Sequence, residues 1–276
     1  MAHPFSQRIL DFMFEAGRIS LKYIESSNPT YKKDQSVLTI ADQKISDLLH
    51  EKLRDLVQTS EHLIIDEEDP RVRELCDDAL LQKAKYIWVC DPIDGTRPYA
   101  NRMPHFGISL GVLKDRKPWL GAVYFPMMNE LFFADGDEAF YISDPFTPKE
   151  KRKPITPVQD PLNNRSILMC DPEVFRLFPN YRTHLQLQVS GTSVVDLTWP
   201  TIGRGCGAIL GPYVWDFCGA WPVAHAAGLK LREIKNGNVL EKIDAGLFKE
   251  NWRLREYYIL SSDENFKTIC SHFTGR

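Results

Sequence analysis

The chain has 276 residues, of which 43% are hydrophobic, and 34 Lys+Arg stand against 37 Asp+Glu. This length can bury a substantial core, as one large domain or as two joined closely. The net charge of -3 argues against a broad basic surface for a nucleic acid polymer. We expect no membrane partner, because no stretch is apolar for long enough to span a bilayer. The six cysteines form no Cys-x-x-Cys pair and the amino terminus lacks a signal-peptide pattern, which favours a cytoplasmic protein.

Hydrophobic periodicity predicts two amphipathic helices near the amino terminus, marked by residues 5–14 and 45–56. Short apolar runs at 63–65 and 86–90 are typical of buried strands. Three further strands, at 106–113, 119–125 and 130–134, are separated by polar turns. These neighbouring strands imply an antiparallel sheet.

Residues 141–164, rich in proline and charge, indicate a boundary between two halves, which we place at 1–148 and 149–276. The second half alternates predicted strands with predicted helices. Its strands are expected at 166–169, 185–189, 206–210 and 257–260, and its helices at 192–202, at 216–227 and from 263 onward. A site that uses both halves should lie in the cleft between them.

The segment Asp91-Pro92-Ile93-Asp94-Gly95-Thr96 directly follows a predicted buried strand and carries the strongest chemical signal. Mg²⁺ prefers a few carboxylate oxygens together with water and substrate phosphate. Pro92 fixes one φ angle, and Gly95 lets the backbone approach an anion closely. Pro98 suits the first turn of a following helix, whose free amides attract phosphate. The alternative is an ordinary surface turn, because Asp, Pro and Gly are common turn residues.

Two other acidic features accompany this segment. Four consecutive acids, Asp66 to Asp69, end a predicted strand, where repulsion favours either full solvation or a bound cation. Asp216 follows Trp215 at the predicted start of a helix. An N-cap role is a sufficient structural reason for that aspartate.

Together these segments resemble the inositol monophosphatase family of magnesium-dependent phosphatases. Residues 37–42 resemble the Val-Thr-x-x-Asp segment of that family, and Gly191-Thr192-Ser193 resembles its Gly-Ser-Ala segment. The resemblance implies an α+β fold of layered helices and sheets in the order α-β-α-β-α. It also implies a homodimer that is sensitive to lithium.

The resemblance further implies a role for each matching position. Two or three Mg²⁺ ions would be held by Glu67, Asp91, the carbonyl of Ile93, Asp94 and Asp216. The catalytic residues would be Glu67, Asp94 and Thr96, with Glu67 and Thr96 orienting the attacking water. The substrate-binding positions would be the amides of Gly95 and Thr96, together with Gly191 and Thr192. Asp42 would support the metal ligands or a third ion, and the alternative for it is an exposed helix residue.

Three positions depart from the pattern or extend it. Asp66 stands where the family has glycine and would add a carboxylate beside the metals. Ile209 stands where inositol-specific members have a glutamate that binds a ring hydroxyl, so inositol specificity is in question. Arg97 could meet a second anionic group, or it could be an exposed arginine on a short helix.

The resulting hypothesis is a Mg²⁺-dependent phosphomonoesterase that uses water as nucleophile and acts on a small phosphorylated metabolite. Haloacid-dehalogenase phosphatases use a nucleophilic aspartate and an acidic aspartate that are two residues apart. Asp91 and Asp94 are three residues apart, which disfavours that class. Inositol phosphates, sugar phosphates or bisphosphates, nucleotide 3′-phosphates and histidinol phosphate all stay open as substrates. Two other classes also stay open, a drifted binding or regulatory member of the same fold and a non-enzymatic protein with structural Ca²⁺.

Overall fold

The structure is a computed structural model that describes residues 3–26, 30–31, 37–157 and 161–273. Helices in its first part are α1 (Pro4–Tyr23), α2 (Ile40–Lys52), α3 (Asp78–Lys83) and α4 (Thr96–Ala100). Strands there are β1 (Thr30–Tyr31), β2 (Val37–Leu38), β3 (His62–Asp66), β4 (Tyr86–Asp94), β5 (Gly107–Lys114), β6 (Lys117–Phe125), β7 (Glu130–Asp135), β8 (Glu138–Ser143) and β9 (Lys151–Pro154).

The second part continues with strands β10 (Ile167–Cys170), β11 (Gln186–Gln188), β12 (Gly207–Leu210), β13 (Lys230–Glu233) and β14 (Tyr258–Ser261). Its helices are α5 (Val174–Leu177), α6 (Ser193–Thr198), α7 (Val214–Cys218), α8 (Trp221–Ala226) and α9 (Asp263–Phe273). Short 3₁₀ turns occupy Ile24–Ser26, Val72–Leu75, Trp199–Ile202 and Ala245–Leu247.

The two predicted amino-terminal helices are confirmed. α1 begins with Pro4 in its first turn, where the missing N–H costs nothing, and buries Ile9, Phe12, Met13 and Ala16 along one face. α2 ends at Lys52, earlier than the predicted 56, because Leu53 leaves helical geometry with φ of -105° and ψ of 3°. Both helices pack on one face of the larger sheet.

That sheet has seven strands in the order β3-β4-β5-β6-β7-β8-β9. β3 and β4 are parallel, and the remaining neighbours are antiparallel. The antiparallel arrangement predicted for the three neighbouring strands, now β5 to β7, is confirmed. β4 runs to Asp94 rather than ending at Cys90, and its register against β5 shifts between Asp91 and Asp94. Such an irregularity bends a strand and redirects its side chains. The acidic segment is therefore the end of the strand itself.

The segment predicted to separate two halves contains ordered sheet. β9 pairs with β8, so residues on the carboxyl-terminal side of the proposed boundary belong to the first sheet. Residues 158–160 of this segment lie outside the described residues. One apolar cluster also joins side chains of both parts, from Ile65 to Leu260. The division at 148 and 149 stays a prediction.

The smaller sheet has the order β11-β10-β12-β14-β13, with β10 parallel to both β11 and β12. Its inner face and the larger sheet enclose α6, α7 and α8, while α9 and Val174 of α5 cover its outer face. With α1 and α2 on the far side, the layers run α-β-α-β-α, which confirms the predicted fold. No helix in the described part of the chain has the length and apolar character needed to cross a membrane.

The predicted helix at 216–227 is in fact two helices. α7 begins at Val214 after an N-cap at Tyr213, so the prediction that Asp216 is the N-cap is wrong by three positions. Asp216 instead takes the third helical position, where its carboxylate accepts a hydrogen bond from the Tyr213 amide. Pro222 favours the start of a new helix, which begins at Trp221.

Three glycines bring α7 unusually close to the larger sheet. A Cβ atom at Gly111 would lie 2.2 Å from the Cys218 carbonyl oxygen, and one at Gly121 would lie 2.3 Å from the Gly219 carbonyl oxygen. A Cβ at Gly219 would lie 2.3 Å from Ser109 Oγ. Backbone therefore packs on backbone here, and α7 lies beside the strand that pairs with β4.

Candidate metal centre

Three carboxylates from two distant parts of the chain converge at the end of β4. One oxygen from each of Asp91, Asp94 and Asp216 lies within 4.8 Å of the others. Asp91 and Asp94 are only 2% and 5% exposed, and Asp216 is half-buried. The larger sheet supplies the first two side chains and α7 supplies the third.

Backbone and hydroxyl groups orient each carboxylate. Asp91 Oδ1 accepts from the Ile93 amide at 3.0 Å. The two oxygens of Asp94 accept from the amides of Ser193 and Val194, at 3.1 and 2.8 Å, where α6 begins. Asp216 Oδ2 accepts from the Tyr213 amide at 2.9 Å.

Ser193 is the residue that the sequence analysis missed. Its amide donates to Asp94, and its hydroxyl lies 3.4 Å from Asp216 Oδ2. It thus connects carboxylates from two different layers. The only sequence signal was its place in the Gly-Thr-Ser segment, whose first two residues received the predicted role.

Burial and mutual repulsion both raise the pKa values of these carboxyls. Burial raises the pKa of Asp91 first, and the nearby charges of Glu67, Asp94 and Asp216 raise it further. Burial and then Asp216 raise the pKa of Asp94, against the lowering effect of its two amide donors. Burial raises the pKa of Asp216 to about 7. The cluster requires protons or cations to offset its charge, and its hard oxygen donors fit Mg²⁺.

Glu67 lies close to this cluster without being one of its three members. It directly follows β3, is half-buried, and donates its amide to the Cys90 carbonyl at 3.2 Å. Its charge raises the pKa values of Asp91 and Asp216, after the larger effect of burial. The structure therefore places Glu67 beside the three aspartates.

The predicted substrate-binding residues Gly95, Thr96, Gly191 and Thr192 lie close together. Gly95 adopts a left-handed conformation with φ of 84° before α4, and a Cβ there would lie 2.6 Å from Thr192 Oγ1. The Thr192 hydroxyl donates to the His105 carbonyl at 2.6 Å, and Gly191 beside it also has a positive φ, 77°. The Thr96 hydroxyl donates to the Ile93 carbonyl at 3.1 Å. The turn after β4 thus packs against the start of α6.

Asp42 is buried, so the alternative of an exposed helix residue is wrong. Its carboxylate accepts from the amide and hydroxyl of Thr39, and the Asp42 amide faces the Thr39 hydroxyl. This reciprocal arrangement caps the start of α2. The charge of Asp42 is also among those that raise the pKa of Asp91, after burial and the closer acids. Asp42 therefore caps α2 and lies near enough to the cluster for its charge to act on Asp91.

Asp66 is held by α2 rather than turned toward the cluster. Its carboxylate accepts from the Ser46 hydroxyl and the Glu68 amide, and His50 Nε2 lies 3.2 Å from its Oδ2. The hydrogen bond to Asp66 is the largest effect on His50 and raises the pKa of that imidazole. The expectation that Asp66 adds a carboxylate beside the metals is wrong, because Ser46 and His50 of α2 engage its Oδ2 and the Glu68 amide engages its Oδ1.

Ile209 contributes nothing polar to the site. Its side chain lies in the outer apolar cluster with Leu168, Cys170 and Ile259, because alternate residues of a strand point to opposite faces of the sheet. Any group that binds a substrate hydroxyl must therefore come from another position. Arg97 is exposed, which agrees with the simpler of its two interpretations.

The pKa values predict how pH and Mg²⁺ affect stability. At these three carboxyls the folded state binds more protons than the unfolded state between about pH 4, the ordinary Asp range, and about 7 for Asp216. In the cation-free protein these carboxyls therefore lower the free energy of unfolding as pH rises through that window. Mg²⁺ competes with protons, so we expect it to raise the thermal midpoint at pH 7.5 much more than at pH 5.

Thermal unfolding of wild type and Asp216→Asn, with Mg²⁺ and with chelator at both pH values, checks this expectation. The difference between the two proteins isolates the contribution of the cluster from that of all other titrating groups. An equal Mg²⁺ effect in wild type and variant would contradict the assignment of this cluster as a cation site.

The fold and the site together define a layered α/β protein with a candidate divalent-metal centre between its larger sheet and its middle helices. The model of the inositol monophosphatase family matches residues 7–267. The chain belongs to the inositol monophosphatase family.

Curated relatives agree with this membership, and solved structures share the fold. The chain is 29% identical over 143 residues to inositol monophosphatase 3 of Solanum lycopersicum, covering 51% of this chain and 52% of that protein. It is 30% identical over 131 residues to the 3′(2′),5′-bisphosphate nucleotidase CysQ of Aggregatibacter actinomycetemcomitans, covering 46% of each. These alignments span about half the length of the relatives they match. The Thermotoga maritima IMPase structure has the same fold, with a TM-score of 0.73 at 16% identity over 96% of this chain and 94% of that one.

Proposed function

We propose that this chain is a Mg²⁺-dependent phosphomonoesterase that hydrolyses a small phosphorylated metabolite. The convergence of Asp91, Asp94 and Asp216 within 4.8 Å is the observation that carries the proposal. Family membership supports the same reaction class. A structural Ca²⁺ site in one loop would not need carboxylates from two different layers.

The proposed ligands of Mg²⁺ are Glu67, Asp91, the Ile93 carbonyl, Asp94 and Asp216, with Asp42 supporting them from behind. Two or three Mg²⁺ ions, when bound, supply positive charge that neutralises the phosphoryl oxygens and makes water a stronger nucleophile. No covalent phosphoenzyme is required in this proposal.

The turn after β4 would orient the reacting groups. Glu67 and the Thr96 hydroxyl would orient the attacking water. Asp94 would be the third catalytic residue. The amides of Gly95 and Thr96 stand at the start of α4, where the first amides have no partner within the helix, so they suit phosphate oxygens. Gly191 and Thr192, which directly precede α6, would contact the substrate.

The names of the relatives point to three kinds of substrate: inositol phosphates, nucleoside bisphosphates and sugar bisphosphates. Inositol monophosphatases and 3′(2′),5′-bisphosphate nucleotidases both match this chain, and a Fructose-1,6-bisphosphatase/inositol-1-monophosphatase of Aquifex aeolicus matches at 37% identity over 60 residues. Histidinol phosphate and a catalytically drifted regulatory role complete the alternatives. A homodimer, lithium sensitivity and a cytoplasmic location belong to the proposal by analogy with the family.

Phosphate release from a panel of phosphomonoesters tests the proposed function. Wild type is assayed with Mg²⁺, with Mg²⁺ plus lithium, and with chelator. We expect turnover of at least one compound that chelator abolishes and Mg²⁺ restores. Metal-independent turnover would contradict the proposed use of Mg²⁺. Metal-dependent thermal stabilisation without any turnover across the panel would favour the regulatory or structural alternatives.

A further inference from the structure

The carboxyl ends of three parallel strands meet at one edge of the smaller sheet. β11, β10 and β12 run in the same direction and lead into Ser190, Asp171 and Gly211. The chain leaves β10 toward β11 on one side and later adds β12 on the other side. Ligands of open α/β sheets bind in the crevice where the strand order reverses in this way. That crevice lies between the ends of β10 and β12.

An arginine, a glutamate and a tyrosine line this crevice. Arg253 Nη2 donates to Glu173 Oε2 at 2.6 Å, and the Tyr257 hydroxyl donates to the same oxygen at 2.9 Å. Arg253 Nε donates to the Gly211 carbonyl at 2.9 Å, which ties the triad to the end of β12. The side chains of Arg253 and Glu173 are 23% and 36% exposed, so a ligand can reach them.

One residue connects this triad to the metal centre. The Tyr213 amide donates to Asp216, and the Arg253 guanidinium lies 5.9 Å from the centre of the Tyr213 ring. Tyr213 and Arg253 also form a backbone bridge. Burial raises the pKa of Asp216, and the positive charge of Arg253 opposes that rise. Tyr213 therefore contacts both the triad and the carboxylate that α7 supplies.

The charges in this crevice balance. Arg253 pairs with Glu173 and lies 3.8 Å from Asp171, while Arg176 pairs with the other oxygen of Glu173 at 3.0 Å. Two cations thus face two carboxylates. A second phosphate would have to compete with Glu173 for Arg253, whereas neutral hydroxyls can both donate to the carboxylate and accept from the guanidinium.

We infer that Glu173 and Arg253 bind the hydroxyls of a neutral polyol leaving group and make this chain prefer a polyol phosphate over a nucleoside bisphosphate. The inference rests on the proposed function and names its substrate class. Glu173 then supplies the acceptor that position 209 cannot supply, since Ile209 is turned into the outer core. A site that hydrogen-bonds substrate hydroxyls discriminates strongly against leaving groups that lack them.

Steady-state kinetics with three substrates test the inference. These are myo-inositol 1-phosphate, 4-nitrophenyl phosphate, whose leaving group has no other hydroxyl, and adenosine 3′,5′-bisphosphate. For Glu173→Gln and Arg253→Lys we expect kcat/KM for the inositol phosphate to fall about 10- to 100-fold more than for the aryl phosphate. Most of the fall should be in KM, because the lost contacts bind the leaving group before and during the reaction.

A second Arg-Glu-Tyr triad provides the matched control. Arg204 and Tyr141 both bond to Glu130, at 2.7 and 2.9 Å, away from the three carboxylates. Glu130→Gln removes the same charge from the same kind of triad, and we expect it to leave the ratio of the two kcat/KM values within about twofold. Equal falls for both substrates in Glu173→Gln, or a wild-type preference for the bisphosphate, would overturn the inference.

The inference can also be separated from the proposed function. If wild type shows no Mg²⁺-dependent turnover of any substrate, the proposed function fails. Binding of free myo-inositol, measured by saturation-transfer NMR, then becomes the readout. Binding that Glu173→Gln weakens and Glu130→Gln does not would still support the polyol site. Absent binding, or binding that Glu173→Gln does not weaken, would overturn it.

Discussion

Asp91→Asn is expected to lower kcat by about 10³-fold or more while the fold is kept. Asp91 is 2% exposed, and the charges of Glu67, Asp94 and Asp216 act on it after burial. Asparagine has nearly the same shape, and its carboxamide oxygen can still accept the Ile93 amide at 3.0 Å. The substitution removes a negative charge from the place where a cation would be held. We therefore expect a large loss of kcat and little loss of stability.

Thermal unfolding separates loss of metal binding from loss of structure. Without a cation, removal of a buried and repelled charge should leave the midpoint of Asp91→Asn equal to or above that of wild type. With Mg²⁺, wild type should be stabilised and the variant much less so. Asp137→Asn makes the same chemical change in an exposed turn and serves as the control. An unfolded Asp91→Asn, or one with full Mg²⁺-dependent activity, would contradict the assignment.

Gly111→Ala is expected to lower the free energy of unfolding by about 3 kcal/mol or more. Its Cβ would lie 2.2 Å from the carbonyl oxygen of Cys218 and 2.9 Å from the amide nitrogen of Gly219. Both neighbours are backbone atoms, so no side chain can rotate out of the way. To relieve the clash α7 must move away from β5, and it carries Asp216 with it. Mg²⁺ should then bind more weakly as well.

Urea denaturation and the Mg²⁺ dependence of the thermal midpoint measure these two effects on the same protein. Gly246→Ala is the control, since the nearest atom to its Cβ is the end of the Asp244 side chain at 3.1 Å, which can move. Wild-type stability and an unchanged Mg²⁺ response in Gly111→Ala would show that the close approach of α7 to the sheet does not position Asp216.

Local patterns explain why much of the fold and part of the site could be predicted. The apolar periods of α1, α2 and β5 to β7 act over a few residues, so helix and strand were recognised where they form. Asp91 and Asp94 were found because a buried strand ran directly into acids, proline and glycine. Errors occurred where local signals were ambiguous, as at Asp216, where a helix-start residue suggested an N-cap while Tyr213 takes that position.

Side-chain direction and long-range contact could not be predicted in the same way. Asp66 and Ile209 were noticed as departures from the family pattern, but their directions depend on packing. α2 presents Ser46 and His50 to Asp66, and the alternation of β12 turns Ile209 into the outer core. Ser193 was missed because its contact with Asp94 joins residues 99 positions apart.

The sequence by itself determined which elements form and which acids stand at the ends of strands and helices, because propensity, capping and turn chemistry act between near neighbours. Only the tertiary structure decided which of those acids meet. Asp91 and Asp94 meet Asp216 because Gly111, Gly121 and Gly219 let α7 lie against the sheet backbone to backbone. Such contacts join segments that no local pattern links, and close packing together with burial decides them.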